Sequence, residues 1–172
     1  ALKAGETSAP ISTEDAVVVP EGYEQAVVIR WGDPVLPGAP AFDFGNQTAQ
    51  AQAQQFGFNN DFAGLLPVEG QPNTFLLVVN HEYTTEPFMF TGYDAENPSP
   101  EQFQTALAAH GLSVVQVKGE SGSGALTPDF GPYNRRITAT TEFVVTGPAA
   151  GSEFLKTSAD PTVVRGGPPP KS

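Results

Sequence analysis

The sequence predicts a mainly β fold of antiparallel strands with one short helix near residues 100–110, and three observations carry that expectation. Glycine and proline occupy 18 and 17 of the 172 positions, a density that interrupts long helices and favours short strands joined by turns. The apolar residues fall in brief β-branched and aromatic runs bounded by Gly, Pro, Asn and Asp. One segment, residues 99–111, carries complete start and stop signals for a helix.

The elements follow in order. Residues 1–15 are polar, small and aperiodic, which predicts a flexible N-terminal tail ahead of a β-rich region over 16–162. Residues 23–31, from Tyr23 to Trp31, read as a strand between Pro20 and Gly22 in front and Gly32-Asp33-Pro34 behind. Pro34, Pro37, Gly38 and Pro40 make a loop, and the alternating Ala and Gln of 48–55 suggest one or two weak helical turns. Residues 61–67 and 74–83 predict a hairpin turning at 68–73, where Gly70 and Pro72 break the pattern. Its second strand is apolar on both faces until Asn80, so its body should be buried and its end should emerge at a cavity or rim.

Ser99 is placed to cap the helix, Pro100 to occupy its first position, Gln102 to complete a capping box and Gly111 to stop it. Phe103, Leu107 and Ala106 or His110 would share its apolar face. Residues 112–117 alternate as a strand, 119–124 form a flexible turn, and 137–139 and 143–146 give further short strands. Residues 163–172 form a Pro/Gly-rich tail. No internal repeat has a convincing period.

Charge narrows the function. Nineteen Asp and Glu against eight Lys and Arg give a net charge of −11, which argues against nucleic acid or an anionic membrane as partner and favours cations. The absence of Cys excludes a disulfide framework, a thiolate metal site and a cysteine nucleophile within this chain. Apolar runs such as 75–79 are far shorter than the ~20 residues of a membrane span. The acidic start lacks the basic and apolar regions of a signal peptide and suits the mature end of an exported protein, so the expected location is secreted or periplasmic.

Asn80-His81-Glu82 is the densest candidate for chemistry. Strand alternation puts Asn80 and Glu82 on one face and His81 on the other. A carbonyl oxygen and a carboxylate suit a hard cation such as calcium, while His81 would hydrogen-bond neighbouring structure. The plainer reading is a strand end whose polar groups satisfy loop backbone. Asn59-Asn60-Asp61 is oxygen-rich, but such runs are also turn formers. Arg30 could face an anion, with pairing to Asp33 the commoner arrangement. Arg135 and Arg136 must point to opposite faces, so at most one looks into any site. Glu82 and Glu86, separated from helical context by Pro87, do not make a glycosidase pair. His110 reads as a favourable helix C-terminal residue and 121–124 as linker.

Five stretches together resemble the PhoX-type alkaline phosphatases: Pro20-Glu21-Gly22-Tyr23, Ile29-Arg30-Trp31-Gly32-Asp33-Pro34, Phe56-Gly57-Phe58-Asn59-Asn60-Asp61-Phe62, Val79-Asn80-His81-Glu82-Tyr83 and Tyr133-Asn134-Arg135-Arg136-Ile137-Thr138. The resemblance implies an exported enzyme of β-propeller type that hydrolyses phosphomonoesters with calcium ions and an iron pair. It implies a metal-site role for Glu82 first and Asn80 second, and assigns no catalytic residue. Arg30, Asn60 and Asp61 fall in matching motifs without an assigned role.

The sequence also departs from the family. The Cys that bridges the iron pair, and the downstream metal carboxylates, belong to a region beyond that matching Asp160. This chain has no Cys and diverges after Pro161. The expectation is therefore an N-terminal portion with an incomplete propeller, incomplete as an enzyme by itself. The alternative is a non-catalytic acidic β-rich module that binds calcium or a partner. Unpaired sheet edges would favour self-association or a second chain completing the fold.

Overall fold

The computed structural model describes residues 16–155; the tails expected at 1–15 and 163–172 lie outside the described residues. The expected hairpin forms from β1 (Ala63–Pro67) and β2 (Thr74–His81), antiparallel with Ala63 opposite Val79 and Pro67 opposite Phe75. Its turn closes with Val68 N–H on Thr74 O at 2.9 Å and Gln71 N–H on Val68 O at 3.1 Å. A short helix α1 (Ala49–Gln52) precedes the hairpin, and α2 (Glu86–Met89) and α3 (Pro100–Ala109) follow it.

β3 (Gly111–Gly119) returns beside β2, with Thr74 opposite Lys118 and His81 opposite Gly111. On the far side of β3 the lane is shared. β4 (Leu126–Asp129) lies along its C-terminal half and β5 (Arg135–Ile137) along its N-terminal half. Asn134 bridges the break between them: its Oδ1 accepts Gln116 N–H at 2.8 Å, and its Nδ2 donates to Val35 O at 2.7 Å and Asp129 O at 3.1 Å. The result is an open antiparallel sheet of five strands, and no closure into a propeller is shown.

Alternation sends Phe75, Leu77 and Val79 of β2 to the same face as Val115 and Val117 of β3, where they meet Val35 and Phe56 in the main core. Val28, Ile29 and Leu36 pack on this cluster. The strand expected over 23–31 does not form: residues 23–27 are exposed, Val28 and Ile29 pack on the core without pairing to a strand, Asp33 N–H closes a turn on Arg30 O at 3.0 Å, and Gly32 adopts φ 87°. Val28 and Ile29 pack against the core while Val27 is 64% exposed, and sequence alone does not separate such packing from membership in a sheet. Residues 143–146 likewise form no strand, and Phe143 and Val144 are exposed. β4 has no sequence signal because Pro128 interrupts it; a lane at the sheet edge tolerates the missing N–H.

Helix α3 starts as its capping box dictates, with Gln102 N–H on Ser99 Oγ at 3.1 Å and Ser99 N–H on Gln102 Oε1 at 2.8 Å. Its buried face differs from the expected one. Thr105, Ala106, Ala108 and Ala109 turn inward, and Phe103 is 55% exposed. The small side chains let the backbone approach α1 and a second core cluster of Met89, Phe90 and Ala109, flanked by Trp31, Phe58 and Tyr93. α2, with Pro87 in its first turn, was not foreseen because a single helical turn has no periodicity to read.

Candidate functional site

The C-terminal end of β2 collects the residues with chemical potential. His81 continues the inward series of Phe75, Leu77 and Val79 and is 2% exposed. Its Nε2 lies 2.7 Å from Ser113 Oγ and 3.3 Å from the Gly57 backbone nitrogen, and its Nδ1 lies 3.0 Å from Asn60 Oδ1. The Gly57 N–H can only donate and the Asn60 carbonyl oxygen can only accept, so Nε2 is the acceptor and the proton resides on Nδ1. Phe56 closes the ring edge-on, with centroids 4.8 Å apart.

Burial, and then the charge of Arg136, lowers the His81 pKa to about 3. The imidazole is neutral at physiological pH and both nitrogens are engaged, so it joins strand to loop and does not act as a base. Gly57 is required at this junction, because a Cβ there would lie 2.4 Å from Ala109 O and 2.4 Å from His81 Cγ.

Arg136 is the buried member of the arginine pair, as alternation required, while Arg135 is exposed and donates to Pro132 O and Asn134 O. The Arg136 guanidinium meets backbone carbonyls instead of a carboxylate. Nε donates to Gln55 O at 2.8 Å, Nη1 to Ile137 O at 2.5 Å and Leu112 O at 3.3 Å, and Nη2 to Ala108 O at 2.6 Å and His110 O at 3.0 Å. Two of these oxygens belong to the C-terminal end of α3, where a cation is favourable. Burial lowers its pKa to about 10, which leaves it charged at neutral pH. The roles of Ser113 and Arg136 were missed by sequence reasoning; the period-2 pattern marks which residues point inward but not what they meet.

The two residues expected at a metal lie at the rim of this junction. Asn80 is half-buried and clasps the start of β1: Oδ1 accepts Phe62 N–H at 2.6 Å, and Asn80 N–H donates to Phe62 O at 3.3 Å. Glu82 is the first residue past β2; it is exposed and makes no hydrogen bond among the described residues. Among the described residues no three His, Cys, Asp or Glu side chains gather to hold a metal ion. Calcium takes 6 to 8 oxygen ligands, so the described residues do not fit calcium or an iron pair on their own. Glu82 offers one unengaged carboxylate.

The other candidates are structural. Asn60 serves His81, and Asn59 adopts the left-handed φ of 49° that Asn tolerates. Arg30 does not pair with Asp33 through its guanidinium; its backbone N–H donates to Asp33 Oδ2 at 2.7 Å. Thr84 Oγ1 donates to Glu86 Oε1 at 2.7 Å, and His110 Nδ1 meets Ala106 O at 2.7 Å. Concavities of about 390 Å³ at the β1–β2 turn and about 260 Å³ beside α1 include none of Asn80, His81 and Glu82.

With this geometry in place, comparison identifies the relatives. The family model for alkaline phosphatase PhoX matches residues 5–167. The chain belongs to the PhoX family. It is also similar to a solved structure of Pseudomonas fluorescens PhoX in complex with vanadate, a transition state analogue, with 40% identity and a TM-score of 0.77. The match covers 88% of this chain and 26% of that one, so this chain spans about a quarter of the PhoX structure it resembles. No curated protein matches the chain. All five family-like stretches, from Pro20 to Thr138, fall within the matched residues.

Proposed function

We propose that this chain is the N-terminal portion of an exported phosphomonoester hydrolase of PhoX type, secreted or periplasmic, whose sheet is one part of a propeller. The observation that carries the reading is the family match over 5–167 together with the likeness to a PhoX bound to vanadate. A vanadate complex marks that relative's site as complementary to a phosphoryl-transfer transition state. Family membership favours this reading over a non-catalytic acidic module.

In this proposal calcium and iron supply positive charge to the phosphoryl oxygens when bound. Glu82 would contribute an oxygen ligand, with Asn80 second once its carbonyl gave up Phe62 N–H, and the companion ligands would come from outside this chain. The chain's own part is positional: His81, Asn60, Ser113 and Arg136 fix the end of β2, so that a side chain immediately beyond it projects from a rigid base. Without the companion ligands the chain alone should show no turnover.

The test replaces the matching segment of the Pseudomonas fluorescens relative with this chain and follows hydrolysis of a chromogenic phosphomonoester in calcium and iron. Turnover by the chimera, and none by the isolated chain, is expected. A folded, metal-loaded but inactive chimera, or robust turnover by the isolated chain, would overturn the reading.

A further inference from the structure

The sheet has a second face, and the chain closes only half of it. Register sets Leu66 opposite Leu76, Val78 opposite Val114 and Asn80 opposite Leu112, all on the side away from Val35 and Phe56. None of these apolar residues joins either core cluster. Leu76, Val78, Leu112 and Val114 are half-buried, and Leu66 is 55% exposed. Phe62 lays its ring over Gly64 on this side, 3.1 Å from where a Cβ would stand, and is still 60% exposed. Arg135, opposite Val114, borders these residues and is tied to Pro132 O and Asn134 O. The other half of the face is polar and closed from within the chain. There Lys118 Nζ donates to Thr74 Oγ1 at 2.8 Å, and Gly131 lies directly against the side chain of buried Gln116.

A sheet that is apolar on both faces lies between two layers, because a face left in water forfeits its burial. Val35 and Phe56, with Val28 and Ile29, form one layer, and the described residues supply no second. We infer that the apolar half of the second face seats an apolar layer from the remainder of a PhoX-length chain. The match covers 88% of this chain and 26% of the solved PhoX, so about three quarters of that relative lies outside the matched region. Charge disfavours a second copy as occupant, since two chains at −11 repel. The face also bears on the metal site. Its apolar rows end at Asn80, with Glu82 two residues on, so the layer that covers Val78 and Val114 also reaches the rim where Glu82 lacks companion ligands. The inference rests on the PhoX reading above, but it concerns packing and not turnover.

The chain has no Cys, so single thiols report cover directly. Leu66→Cys probes the face, and Ser121→Cys the exposed turn after β3. In the isolated chain both should react with iodoacetamide at similar rates. In the chimera that carries this chain in place of the matching segment of the Pseudomonas fluorescens relative, Leu66→Cys should react about tenfold more slowly or less, and Ser121→Cys as before, with the label located by peptide mass spectrometry. Leu66→Lys should be tolerated by the isolated chain and should lower the melting point of the chimera by about 3 °C or more. If the chimera does not fold, the intact relative with a Cys at the position matching Leu66, and another at the position matching Ser121, gives the same contrast. Protection in a folded but inactive chimera supports the docking face and overturns the phosphatase reading. Equal labelling of the two positions in an active chimera, or in the intact relative, overturns the docking face and leaves that reading standing. Protection that grows with the concentration of the isolated chain assigns the face to a second copy and also overturns the inference.

Discussion

His81 Nε2 and Ser113 Oγ meet at 2.7 Å diagonally between β2 and β3, two residues along β2 from Val79, which lies directly opposite Ser113. Ser113 is fully buried, so this bond is shielded from water and links the strand end that presents Glu82 to the centre of the sheet. Ser113→Ala removes one of the two donors to Nε2 and leaves the Gly57 N–H. The expected loss is about 1–2 kcal/mol of stability in urea unfolding, with the native spectrum retained.

The same imidazole makes the protein sensitive to acid. In the folded chain the His81 pKa is about 3, against an ordinary 6.5 in the unfolded chain. Between those values the unfolded state binds a proton that the folded state refuses, so stability falls as pH drops from 6.5 toward 3 and levels below that. The total available is on the order of 5 kcal/mol. Urea midpoints at pH 7, 5 and 4 should decline steadily, and His81→Gln, less stable at pH 7, should show a shallower decline.

Gly57→Ala tests the close approach of the loop to α3. The added methyl would overlap Ala109 O and the His81 ring, and the Ala109 oxygen is backbone that already accepts Phe58 N–H at 3.0 Å. Relief requires moving the helix end or the imidazole. A loss of about 3 kcal/mol or more, or failure to fold, is expected in thermal unfolding.

Arg136→Lys tests the carbonyl cage. Lysine brings three donors on a tetrahedral head where the planar guanidinium satisfies five oxygens from Gln55, Ala108, His110, Leu112 and Ile137. The unpaired carbonyls should cost about 3 kcal/mol, with faster amide hydrogen exchange where β5 pairs with β3.

How far the sequence reaches is visible in these residues. The hairpin of β1 and β2 was legible because Gly70 and Pro72 separate two β-type runs, and α3 because Ser99 to Gln102 encode a cap that closes locally. Residues 23–31 were misread because β-branched side chains such as Val28 and Ile29 serve a strand or an unpaired segment that packs on the core equally well. The inward turn of His81 followed from parity with Asn80, but Ser113 bonds it from 32 positions away and the charge of Arg136 acts on it from 55 positions away. Long-range partners of this kind have no local signature. The family resemblance supplied the metal expectation for Glu82, since one exposed carboxylate has no chemistry distinctive enough to announce itself.

Glu82→Gln carries that expectation to a measurement. Glu82 is exposed and unengaged, so the substitution should leave folding unchanged, with an altered unfolding midpoint counting against a purely ligand role. The isolated chain offers one free carboxylate, the Asn80 carbonyl being engaged by Phe62 N–H, so it should bind calcium no more tightly than a dissociation constant on the order of 1 mM. Removing the charge deletes most of what offsets dehydration of the ion, so calorimetric heats for Glu82→Gln should fall to the baseline of dilution. In the chimera described above the same substitution should raise the calcium concentration needed for half-maximal hydrolysis by about tenfold or more. Equal calcium heats for the two proteins, together with an unshifted calcium requirement in the chimera, would remove Glu82 from the metal site.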